Sequence, residues 1–226
     1  MLHFTCHGRA ATRTVDFSPK AAVIAGWAAR DEAAVRHHIE ELAAIGVPPP
    51  SSVPLFYRVA ESLLTQSGRL EVLGPSSSGE IEPVIVSLTD GLWVTIGSDH
   101  TDRKAEAQGV ALSKQLCGKP IAGALWRLDD VAPHWDELEL RATITIAGER
   151  VRYQHGKLAA LRPPADLIGR FATDGVLPPG HVMFGGTLGA IGGVRPADRF
   201  EMELSDPVLG RTIRHGYDIV PLPVVA

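Results

Sequence analysis

Apolar positions along this chain fall mostly at intervals of two or in short unbroken runs, the marks of half-buried and fully buried strands. Ala21–Ala25 is an unbroken run stopped by Gly26 and reads as a buried strand. A helix-period stretch follows. Asp31 is suited to cap it, Val35, Ile39 and Leu42 share one face, and Gly46 stops it, so residues 1–45 are read as one strand and one helix over 31–45. Pro48-Pro49-Pro50-Ser51-Ser52 is a loop too short for a domain linker. From Val53 to about Leu161 strand follows strand. Leu70–Leu73 precedes a turn at 75–79, and Ile81–Leu88 and Leu92–Ile96 flank Asp90-Gly91, a strong hairpin signal. Leu138, Leu140, Ala142, Ile144 and Ile146 alternate strictly, Ala147-Gly148 turns, and Val151–Leu158 returns. Pro163–Ile168 opens a helix, Leu177-Pro178-Pro179-Gly180 is a turn, and His181–Phe184 is a strand running into Gly185-Gly186. Phe200, Met202 and Leu204 alternate with Glu201 and Glu203, and Tyr217–Val225, with its two prolines, suits a sheet edge. The pattern predicts a mostly β protein with a few helices (α+β), folded as a single domain over residues 1–226.

Composition agrees. The 23 glycines and 17 prolines among 226 residues favour short strands and many turns over a helix bundle. A hydrophobic content of 45% can fill a core, which excludes wholesale disorder. The formal net charge of −4 argues against a nucleic-acid partner, which would want a basic stripe. The longest apolar stretch, Ala21–Ala29, is far shorter than the roughly 20 residues a bilayer demands. The amino terminus lacks a basic start followed by an apolar run. Cys6 and Cys117 match no zinc or redox spacing, so a reducing compartment is the simple expectation. The expectation is a soluble, cytoplasmic protein with no membrane contact.

Five groups of residues are suited to chemistry. In an extended strand Glu80 and Glu82 project to one face, where a hard divalent cation would relieve their repulsion; a wet sheet face gives the same spacing. Asp99 stands just past the return strand of the hairpin and would come back beside the glutamates, completing a three-carboxylate Mg²⁺ or Mn²⁺ site, or it makes a polar turn. In the helix 31–45, His37/Glu40 and His38/Glu41 are paired at i, i+3. His38 falls beside the apolar face, so His38 with Glu41 forms a general-base dyad able to activate water, or a surface ion pair. Lys114 lies in an apolar-leaning stretch and either anchors a substrate carboxylate or lays its stem on the surface. Gly185-Gly186-Thr187-Leu188-Gly189 offers backbone N–H groups and the Thr187 hydroxyl to an anion, or is a tight turn.

The order of these signals resembles the fumarylacetoacetate hydrolase superfamily over roughly residues 20–220, and in particular a bacterial branch carried as a domain of unknown function. A His-x-x-Glu helix comes first, then a proline-rich segment into Phe56-Tyr57-Arg58. Glu-x-Glu, Asp99 with Arg103, Lys114, Leu177-Pro178-Pro179-Gly180 and Gly186-Thr187 follow. The resemblance implies a mixed β-sandwich and rolled sheet, usually dimeric, with a divalent ion in the sheet's mouth. It implies Glu80, Glu82 and Asp99 as metal ligands, His38, Glu41 and Lys114 as catalytic groups, and Arg103, Gly186 and Thr187 on the substrate side. The expected activity is Mg²⁺- or Mn²⁺-dependent hydrolysis of a C–C bond in a small, anionic 1,3-dicarbonyl or 2-oxo acid. The alternatives are a decarboxylase, isomerase or dehydratase working at the same metal, or a non-catalytic small-ligand domain. Three departures bear on the pocket: a short interval between Glu82 and Asp99, Glu106 where glutamine is usual, and Pro83 where an aliphatic residue is usual.

Overall fold

The structure is a computed structural model that describes residues 1–9, 11–33, 35–36, 39–40 and 49–225. Its strands, in chain order, are β1 (Leu2–His7), β2 (Thr12–Phe17), β3 (Ala21–Gly26), β4 (Leu55–Val59), β5 (Leu64–Thr65), β6 (Arg69–Leu73), β7 (Ser77–Ser78), β8 (Ile81–Leu88) and β9 (Gly91–Ser98). There follow β10 (Thr101–Asp102), β11 (Lys119–Pro120), β12 (Ala124–Arg127), β13 (Glu139–Ile146), β14 (Glu149–Lys157), β15 (His181–Phe184), β16 (Arg199–Asp206) and β17 (Arg211–Leu222). Among the described residues these form an eight-stranded sheet in the order β2-β1-β12-β9-β8-β15-β3-β4, a five-stranded sheet in the order β14-β13-β16-β17-β6, and the two-stranded ribbons β10-β7 and β11-β5. Both large sheets are mixed, with β15 parallel to β3 and β6 parallel to β17.

The run Ile81–Leu88 is apolar at almost every position because both of its faces are buried. Ile81 and Ile85 meet Leu140, Ala142, Phe200, Met202 and Tyr217 of the five-stranded sheet, making the filling of a sandwich. Val84 and Val86 face the other way, into a second apolar cluster with Phe4, Ile24, Leu125 and Phe184, around which the large sheet curls. The strict alternation of β13 and β16 has the opposite cause: one face packs inward while Arg141, Glu203 and Arg214 pair outside. No helix among the described residues is long and apolar enough to cross a membrane.

Two local expectations need correction. Residues 1–45 hold more than one strand before the helix, since β1 and β2 form an antiparallel hairpin; its signal is the alternation Leu2, Phe4, Cys6. The hairpin loop between β8 and β9 is Thr89-Asp90, with Gly91 opening the return strand opposite Leu88. Gly91 has φ +124°, and a Cβ there would lie 2.8 Å from Arg127 Nη2. The edge expected over Tyr217–Val225 holds residue by residue, since only Asp218 is paired on both sides, although in sheet order β17 lies between β16 and β6. β17 pairs with β16 from Arg211 to Asp218 and with β6 from Asp218 to Leu222, so Pro221 falls where the strand has lost one neighbour and its missing N–H costs no ladder bond on that side.

The Ala147-Gly148 hairpin turn has positive φ at both residues, the left-handed pair that matches strand twist. Helical residues 32–33, 35–36 and 39–40 follow Asp31, whose Oδ1 accepts from the Ala33 N–H at 2.9 Å, as a cap should. The later helix runs Pro164–Phe171.

Candidate metal centre

The β8–β9 hairpin assembles the acidic cluster. Its register pairs Ile81 with Ser98 and Glu82 with Gly97, and the Asp99 N–H donates to the Glu80 carbonyl at 3.0 Å. Glu80 lies one residue ahead of β8 in extended chain, so strand alternation still carries it to the face of Glu82. One carboxylate oxygen from each of Glu80, Glu82 and Asp99 lies within 4.8 Å of the others. The wet-face alternative does not hold for Glu82 and Asp99, which are 2% and 0% exposed.

Cations and amides hold the cluster. Lys114, on the short helix Val110–Gln115, forms an ion pair with Asp99 Oδ2 and stands 5.6 Å from the centre of the Tyr57 ring. It is buried rather than laid along the surface. Lys119, also buried, donates to the His100 carbonyl at 2.6 Å and sits 3.2 Å from Asp99 Oδ1. The Gly186 N–H donates to Glu82 Oε2 at 2.8 Å. Gly186 has φ +91°, and a Cβ there would collide with Ala28 at 2.7 Å, so glycine is needed for this approach.

Burial, and then the neighbouring Asp99 charge, push the Glu82 carboxyl well above the ordinary range, against Lys114 and the Gly186 N–H. Burial also works against the Asp99 carboxylate, but the ammonium groups of Lys114 and Lys119 outweigh it and hold Asp99 low. Burial would discharge Lys114, yet Asp99, Glu80 and Glu82 raise it above the usual lysine value, so it stays cationic. Lys119 is pushed down by burial, which Asp99 only partly offsets. Three clustered carboxylates, with Glu82 and Asp99 both dehydrated, make a hard-oxygen donor set that fits a divalent cation.

All three expected substrate-side groups are engaged inside the protein. Arg103 braces the cluster: its Nη2 is 3.0 Å from Glu80 Oε1, Nη1 donates to Glu106 at 2.9 Å, and Nε donates to Ser78 Oγ at 2.7 Å. Glu106, noted as a departure, is thus the second partner of Arg103. The Thr187 hydroxyl donates to the Ile81 carbonyl and accepts from Gln154, each at 2.8 Å, so its proton is not free for an anion, and the Gly186 N–H is spent on Glu82. His38 and Glu41, like His37, lie outside the described residues.

Several residues of the centre carried no signal in the sequence. Lys119, Gln154 and Tyr217 stand apart in sequence from Asp99, Ile81 and Ser98, which they contact, and only the packing of the chain brings them together. His100 was legible as a neighbour of Asp99 but points elsewhere: its ring nitrogens meet Tyr217 Oη and Ser77 Oγ, both at 2.9 Å, and burial with the Lys119 and Arg103 charges pushes its pKa down to about 3.

Fold and site thus define a mixed two-sheet protein with a carboxylate centre built on one hairpin. The sequence matches the family described as "Protein of unknown function (DUF2848)" over residues 25–217, and the chain belongs to that family. No curated protein matches it. Among solved structures it is similar to Cg1458, with 19% identity, a TM-score of 0.64, and coverage of 93% of this chain and 80% of the other. It is also similar to 2-keto-3-deoxyarabinonate dehydratase, with 16% identity, a TM-score of 0.64, and coverage of 92% and 76%. A structure of that type complexed with magnesium and 2,5-dioxopentanoate matches at 14% identity and a TM-score of 0.62, covering 92% and 75%. At these identities the likeness is one of fold.

Proposed function

We propose that the chain is a divalent-metal-dependent enzyme of the fumarylacetoacetate hydrolase superfamily that acts on a small anionic 2-oxo acid. The observation that carries this reading is the convergence of Glu80, Glu82 and Asp99 within 4.8 Å beside the buried Lys114. Glu80, Glu82 and Asp99 would hold Mg²⁺ or Mn²⁺. Such an ion, when bound, is a Lewis acid toward the oxygens of a 2-oxo acid. The chain's own residues supply the rest. Lys114, kept protonated, is a fixed positive group for negative charge developing on a substrate oxygen, and in its dry setting it needs little reorganisation. Arg103 fixes Glu80, and the Gly186 N–H fixes Glu82, so neither carboxylate swings when substrate enters.

Dehydration of a 2-oxo acid is favoured by the likeness to 2-keto-3-deoxyarabinonate dehydratase. Hydrolysis of a C–C bond is the second reading; it rests on His38 and Glu41 as the water-activating pair. Product analysis by NMR separates the two. With Mg²⁺ present, a 2-keto-3-deoxy sugar acid should lose water and give one organic product, whereas an acylpyruvate cleaved by water gives two. Chelator should abolish turnover and Mg²⁺ restore it; turnover that survives chelation and Glu80→Gln would overturn the metal reading. A homodimer goes with the same reading, and light scattering should give twice the chain mass.

A further inference from the structure

The β13–β14 ladder slips by one residue: Ala142 faces Gln154 but Thr143 faces Arg152, so Tyr153 is the extra residue of a bulge. The bulge turns two consecutive side chains inward, and Tyr153 and Gln154 are each 1% exposed. Regular alternation would have sent one of them to solvent.

The amide so aimed closes a ring of hydrogen bonds across the sandwich. Gln154 Oε1 accepts the Ile81 N–H at 3.0 Å, Gln154 Nε2 donates to Thr187 Oγ1 at 2.8 Å, and Thr187 Oγ1 donates to the Ile81 carbonyl at 2.8 Å. Nε2 also donates to the Leu188 carbonyl at 2.5 Å. A backbone donor on one side and a backbone acceptor on the other fix which end of the amide is which. Ile81 lies between Glu80 and Glu82, and Thr187 follows the glycine whose N–H holds Glu82. The ring therefore ties both glutamates to the turn that orients one of them.

We propose that Gln154 is a positioning residue for the cation: presented by the bulge at Tyr153, it sets the spacing of the Glu80 and Glu82 carboxylates without touching them. This rests on the metal reading above. It is tested by titrating Mn²⁺ and following the free ion by electron paramagnetic resonance, with circular dichroism and the metal-free melting temperature recorded alongside. Gln154→Leu and Thr187→Val should each weaken Mn²⁺ binding about tenfold or more. The double variant should be little worse than the worse single one, because all three hydrogen bonds belong to one ring. A purely structural role would lower the melting temperature and leave the Mn²⁺ affinity unchanged, and that result overturns the proposal. Should Gln154→Leu fail to fold, Thr187→Val alone decides, since wild-type affinity in that variant also overturns it. A wild-type protein that binds no Mn²⁺ removes the metal reading and this inference together, a result distinct from equal binding by wild type and variants.

Discussion

Glu82 is a carboxylate at a place that punishes one. It is desolvated, it faces Asp99, and it accepts a hydrogen bond from the Gly186 N–H. In the metal-free protein Glu82→Gln should raise the melting temperature, because the amide oxygen keeps the Gly186 bond while the repulsion disappears. The same substitution should erase the rise in melting temperature expected of the wild type with Mn²⁺; calorimetry with and without the ion reads both effects. Glu80, Glu82 and Asp99 could be picked out from spacing because one hairpin carries all three. Lys114 was legible only as a residue type, since its contact with Asp99 depends on how the helix Val110–Gln115 packs.

Between β16 and β17 the hairpin is held by Asp206. Buried at 1% exposure, it accepts from the Val208 and Leu209 N–H groups at 3.1 and 3.0 Å, from Arg211 Nε at 3.1 Å and from His134 Nε2 at 3.0 Å. Burial works against the charge, but the Leu209 N–H, His134 and Arg211 outweigh it and hold the carboxyl below its usual value. A carboxyl lowered by folding stabilises fully above its unfolded pKa, about 4, and the contribution fades as pH falls through the folded value. Asp206→Ala should therefore cost about 1–3 kcal/mol at pH 7, and the gap to wild type in urea midpoint should narrow by pH 3. An Asp206→Ala gap that widens on acidification would contradict this account. The first strand of this hairpin, β16, was visible in the alternation of Phe200, Met202 and Leu204. The central position of β17 was not, because pairing with β6 joins segments far apart in sequence and leaves no local periodicity.

At the scale of the molecule, the centre is carried by the β8–β9 hairpin of the large sheet, and a metal site formed only in the native state would link metal to stability. Mg²⁺ or Mn²⁺ at a hundredfold excess over its dissociation constant should add about 2.7 kcal/mol to unfolding, reversible by chelator and absent in Asp99→Asn; denaturant titration with and without the ion measures it. Fold class, both principal hairpins and the acidic trio were determined by the sequence alone. These are local matters: side-chain period, turn chemistry, and the return of a strand upon its neighbour. Only the tertiary structure decided that Gly186 and Thr187 are spent on Glu82 and Ile81, that Lys119 shares Asp99 with Lys114, and that Gln154 reaches across from the other sheet. The reason is physical. A hydrogen bond between residues 73 or 104 positions apart is chosen by burial, where each polar group must find whichever partner the packing delivers.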